Sequence, residues 1–138
     1  MFFAEAAAAA GGDPAAMSAH PRRIVVGYDG SEPASRALEL AADLAGYGST
    51  LSVVTVLGGA ADHSTAESAR EQLLSRHVAA RYHEVSGEPA EELVQKAHEL
   101  GADLIVVGRR SGNPLRRLLG SVSARVVRRA PCDVLVVR

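Results

Sequence analysis

Apolar positions along the chain follow two periods. Short runs rich in β-branched residues recur: "RRIVVGYDG" from Arg22, Leu51 to Leu57, the weaker Ala79 to Val85, "DLIVVG" from Asp103, and "DVLVV" from Asp133. Each reads as a strand. "DLIVVG" is apolar on both faces and therefore central, whereas polar alternation in Ala79 to Val85 suggests an edge. Between the runs the spacing becomes helical. Ser31 can cap a helix with Pro33 in its first turn, and Ala37, Leu40, Ala41 and Leu44 share a face until Gly46 and Gly48 stop it. "ADHSTAESAREQLLSRHV" places Leu73, Leu74 and Val78 together. A third helix starts at Pro89 and ends before Gly101. "GSVSARVVRRA" reads as the last helix, ended by Pro131.

Strands alternate with helices over short links, so the sheet is parallel and covered on both faces. The fold class is α/β, a three-layer sandwich in one domain spanning residues 22–138. The preceding "MFFAEAAAAAGGDPAAMSAH" is Ala/Gly-rich and without period. Residues 1–21 are therefore expected to form a disordered or loosely helical tail. Met17 heads "MSAHPRRIVVGYDGS" and reads as a start position.

Composition narrows the function classes. The chain has 138 residues, 47% hydrophobic and 22% charged, with net charge -1, which suits an ordinary globular domain. No apolar run reaches the ~20 residues of a membrane helix. Aromatic residues are 4% with no Trp, which argues against a stacking platform for nucleic acid. Cys132 is the single cysteine, so no intrachain disulfide can form, in keeping with a cytoplasmic location. From Gly108 onward eight arginines accompany one acid, Asp133. Such a bias marks either an anionic ligand or a solvated arginine face.

In open parallel sheets ligands sit beyond the carboxyl ends of the strands. Two such ends carry signals: "GYDGSE" after the first strand and "GRRSGNPLRRLLGSVSARV" after the fourth. Neither is a P-loop or a dinucleotide fingerprint. Asp29 can bond a ligand or order the turn into the first helix. Gly108 and Gly112 permit close backbone approach. Gly120 and Ser121 open a helix whose free N–H groups form an anion site, with the hydroxyl of Ser123 nearby. The histidines show no metal-ligand spacing, and no metal site is expected. No general base stands near the loop, so an enzyme reading reaches at most a slow ATPase.

Together these stretches resemble the universal stress protein family, from Arg22 to Arg138. The resemblance implies strand order 3-2-1-4-5, a homodimer pairing through the last strand (Asp133 to Val137), and, in many members, ATP, with magnesium as its companion ion, held by a G-x2-G-x9-G-[ST] motif. Carried onto this sequence, Gly27, Tyr28 and Asp29 would flank the adenine-ribose side and Val56 would meet adenine through its backbone. Gly108, Arg109, Ser111, Gly112, Gly120, Ser121, Val122 and Ser123 would cradle the phosphates. Ser111 stands where the motif has its second glycine, Gly108 to Gly120 is one residue short, and Pro114 stiffens the loop. Two functions follow as alternatives: a regulatory stress-response module that binds an adenine nucleotide, and a dimeric interaction module of the same fold that binds none.

Overall fold

A computed structural model of the chain describes residues 4–7, 23–45, 48–58, 61–109 and 122–138. Five strands form the parallel part of the sheet: β2 (Arg23–Gly27), β3 (Thr50–Leu57), β4 (Arg81–Ser86), β5 (Leu104–Gly108) and β6 (Asp133–Val137). They lie side by side as β4-β3-β2-β5-β6, which is the order 3-2-1-4-5 when the parallel strands alone are counted. A sixth strand, β1 (Ala4–Ala7), runs antiparallel along the outer side of β6, with Ala4 opposite Val137 and Ala7 opposite Val134.

That strand falls within the expected tail. Ala4–Ala7 is extended along β6, because an open strand edge offers partners to the backbone groups that face it. It also occupies the edge of β6 through which the resemblance implies pairing. The other residues of the expected tail, and Met17, lie outside the described residues.

Helices α1 (Glu32–Leu44) and α2 (His63–Ser75) cover one face, and α3 (Pro89–Glu99) and α4 (Val122–Arg129) the other. The continuous apolar runs follow from this double cover. Ile24, Val26, Leu104 and Val106 pack with Ala37, Leu38, Ala69 and Leu73 beneath α1 and α2. Their sequence neighbours Val25, Ile105 and Val107 pack with Leu93, Ala97 and Val126 beneath α3 and α4. Alternate residues of one strand thus feed opposite cores, and each fully buried aliphatic side chain stabilises the fold by about 1.5–3 kcal/mol.

The helix starts are fixed locally. Ser31 caps α1 by accepting the Ala34 N–H at 3.2 Å. Asp62 caps α2 and forms a capping box with Thr65. The Ser64 hydroxyl and the Thr65 N–H hold the Asp62 carboxyl below the usual carboxylate range. Glu88 caps α3, accepting the Glu91 N–H at 2.8 Å.

Candidate functional site at the ends of β2 and β5

The chain leaves β2 and β3 toward one face and β4 and β5 toward the other. Neighbouring β2 and β5 therefore part at their carboxyl ends, and a crevice opens between them. Its empty volume is about 770 Å³, counting the part open to solvent. Gly27, Tyr28, Asp29, Ser31 and Ala34 line it from the β2–α1 side, and Val54, Val56, Gly58 and Ala61 from β3 and its exit turn. Pro89 and Leu93 of α3, Val107 and Gly108 of β5, and Val122 of α4 complete the wall. The lining is mostly apolar; among the described residues that line it, Asp29 brings the only carboxylate.

Asp29 lies in an exposed turn in which Gly30 has φ 84°. Its Oδ1 accepts the Ser31 N–H at 2.9 Å. The carboxylate orders the turn while Ser31 serves as the cap, so both of its predicted uses are compatible with one geometry. Tyr28 borders the cavity, but its ring is buried with the α1–α2 core. Its hydroxyl pairs with Ser68 of α2 at 3.1 Å.

Val56 lies two residues beyond the last β2–β3 pair. The β2–β3 register ends at Gly27 opposite Val54, and the Tyr28 N–H donates to the Val54 carbonyl at 3.0 Å. Backbone groups of alternate strand residues point the same way. The N–H and carbonyl of Val56 therefore turn toward the side that β2 has already left.

The two strand-end glycines differ. A Cβ at Gly27 would lie 2.8 Å from Cδ2 of Leu93, the tip of a flexible side chain. A Cβ at Gly108 would lie 2.5 Å from the Pro33 carbonyl carbon and 2.6 Å from the Ala34 nitrogen, both backbone atoms of α1. Close strand–helix contact is therefore a sufficient reason for Gly108, beside the ligand approach read from sequence.

Of the other predicted residues, Arg109 leaves β5 with its N–H bonded to the Val137 carbonyl. Ser123 is buried in the first turn of α4. Neither lines the cavity. Ser111, Gly112, Gly120 and Ser121 lie outside the described residues. Two arginines of α4 turn elsewhere: Arg125 pairs with Glu88 at 2.7 Å and Arg129 with Glu91 at 3.2 Å. The basic bias of this helix thus serves its docking on the acidic start of α3. Cys132 is a half-buried thiol pushed up to about 11, chiefly by burial and then by Asp133 and Asp103, which suits a packing role. Among the described residues no three His, Cys, Asp or Glu side chains cluster as a metal site. Nor is any of their helices long and apolar enough to cross a membrane.

Sequence reasoning missed Ser31, Ala34, Val54, Gly58, Ala61, Pro89, Leu93 and Val107. Pro89 was within reach, because a helix that follows a parallel strand begins at the ligand end of the sheet. Leu93, one turn further, needed the packing of α3 across the crevice.

The family model for the universal stress protein family matches residues 20–78 and 59–138. Universal stress protein Rv1636 of Mycobacterium tuberculosis is 34% identical over 146 residues, covering 88% of this chain and 98% of that protein. A crystal structure of a universal stress protein in complex with cAMP has TM-score 0.76 at 34% identity, over 86% of this chain and 98% of that one. The structure of a universal stress protein from Archaeoglobus fulgidus in complex with dAMP has TM-score 0.68 at 27% identity, over 85% and 98%.

Proposed function

The chain belongs to the universal stress protein family, and we propose that it binds an adenine nucleotide, ATP first among the candidates, as a regulatory module of a stress response. The observation that carries this reading is the crevice at the β2–β5 parting, with Val56, beyond the last β2–β3 pair, on one wall and the Asp29 carboxylate on its rim. Val54, Val56 and Leu93 offer a flat apolar slot for a base. The backbone of Val56 offers a donor and an acceptor to the base edge, and Asp29 accepts from a ribose hydroxyl. In this reading the phosphates run toward Gly108 and the start of α4, where helix N–H groups favour negative charge. Magnesium would enter on the phosphate oxygens. The relatives solved with cAMP and dAMP support the adenine class.

The test is to denature the purified protein, identify any released nucleotide, and titrate the stripped chain with ATP, with and without magnesium, and with cAMP by calorimetry. Bound nucleotide or micromolar affinity supports the reading. Asp29→Ala should then weaken binding at least tenfold, since a charge-assisted hydrogen bond contributes about 1.5–3 kcal/mol.

A second reading has its own observations. The contact of Gly108 with α1 and the ion pairs of Arg125 and Arg129 account for these glycine and arginine signals without a ligand. They favour an interaction module of the same fold, which predicts neither released nucleotide nor heat.

A further inference from the structure

The wall of the crevice is short of positive charge. Among the described residues that line it, none is a lysine, arginine or histidine, and Asp29 is negative. A ligand that carries phosphates must find cations beyond that lining. Two lining residues stand beside charged neighbours. Pro89 directly follows Glu88, and Val122 lies one turn before Arg125 on α4. Helical side chains lean toward the helix N-terminus, so Arg125 reaches back over the turn that holds Val122. There its guanidinium meets the Glu88 carboxylate at 2.7 Å. The ion pair therefore bridges the starts of α3 and α4, where both helices border the crevice.

The two oxygens of Glu88 serve different partners. Oε2 accepts the Glu91 N–H at 2.8 Å and caps α3. Oε1 takes Arg125. The cap needs an acceptor, which a neutral amide would also supply; the negative charge matters for Arg125. The pair is open to solvent, with the Arg125 side chain 40% and the Glu88 side chain 33% exposed. Exposed pairs are weak, and phosphate is a strong competitor for a guanidinium. The second pair, Arg129 with Glu91 at 3.2 Å, lies about one turn further along both helices, away from Pro89 and Val122. It has the same chemistry without the position.

We propose that Glu88 and Arg125 form a charge filter at the lip of the crevice. Glu88 engages Arg125 and opposes phosphate charge, and Arg125 turns from Glu88 to the phosphates as a ligand enters. The two residues thereby determine specificity for the charge of the ligand, not for its base. This rests on the nucleotide reading above.

The experiment titrates the full chain with adenosine, AMP and ATP by calorimetry, at low salt and without magnesium, beside Glu88→Gln, Arg125→Gln and Glu91→Gln. Glu88→Gln keeps an acceptor for the cap and should bind ATP about fivefold more tightly, while Arg125→Gln leaves a carboxylate facing the phosphates and should bind ATP about tenfold more weakly. AMP should shift less in each, and adenosine not at all. Glu91→Gln should leave all three affinities unchanged. If Arg125→Gln folds poorly, the ATP-to-adenosine ratio of Glu88→Gln decides alone. ATP and adenosine affinities that move in step would mean that the pair only shapes the wall, and would overturn the proposal. So would an ATP affinity that neither substitution moves, or an equal effect from Glu91→Gln. A parent chain that binds none of the three ligands would overturn the nucleotide reading and the filter together, and the parent alone tells that result from the others.

Discussion

Gly27 and Gly108 end adjacent strands and border the same crevice, yet their surroundings give them different tolerances. Above Gly108 lies the backbone of the first turn of α1, which is capped by Ser31 and fixed by Pro33. Above Gly27 lies one rotatable leucine on α3. One wall of the cavity is therefore rigid and the other yields. A glycine beside a ligand site can be required by the scaffold as much as by the ligand, and only what its missing Cβ would meet separates the two.

The largest test of this contrast is Gly108→Ala. The new methyl group cannot be accommodated unless α1 or the end of β5 shifts, and overpacking of this kind costs about 1–3 kcal/mol, occasionally more. For a domain of this size the melting temperature should fall by roughly 5–10 °C. A melt within a degree or two of the parent would show that the contact with α1 does not require glycine.

Gly27→Ala should cost less than about 1 kcal/mol, because Leu93 can change rotamer. Leu93 also lines the cavity, so the displaced side chain narrows the space proposed for the base. Calorimetry should show ATP affinity reduced at least tenfold while the melting temperature hardly moves. Equal losses of stability at positions 27 and 108 would erase the distinction between the walls.

Much of this arrangement was readable in advance, for physical reasons. Period-2 runs bounded by capped, amphipathic stretches leave a parallel sheet few alternatives, and each strand and helix read from sequence is present to within a few residues at its ends. Asp29, Val56 and Gly108 reach the crevice because strand ends are fixed once the strands are. What crosses between elements was not readable. Nothing in "GRR" tells which helix backbone approaches Gly108. Nothing in "SARVVRRA" tells that Glu88 and Glu91 await two of its arginines. Ala4–Ala7 has no strand signal of its own, since the edge of β6 supplies the reason for it to extend.

The yielding wall is held at its rim by charge. Glu88 caps α3 through Oε2 and receives Arg125 through Oε1. Glu88→Gln keeps an acceptor for the cap and removes the ion pair. Both partners are more than a third or close to a third exposed, so the loss should be at most about 1 kcal/mol and should shrink further in high salt. Ser68→Ala, which removes the neutral bond to Tyr28 on the other face, should cost a similar amount with no salt dependence. Chemical denaturation with urea at low and high salt distinguishes them.

The smallest effect is expected at His83 on β4, beside α3. Its Nε2 is buried without a hydrogen-bond partner among the described residues. Burial, and after it the charges of Lys96 and Arg81, hold its imidazole below the ordinary histidine value. The unfolded chain therefore takes up the proton first as pH falls, and stability drains from the folded state. The contribution is intact above the ordinary histidine value of about 6.5 and is lost below it. Urea midpoints for the parent chain should decline between about pH 7 and 5, before most carboxylates titrate, and His83→Gln should flatten that decline. A parent chain equally stable at both ends of this window would mean that His83 gains a proton partner in the folded state, and that α3 packs against β4 less tightly than its buried imidazole implies.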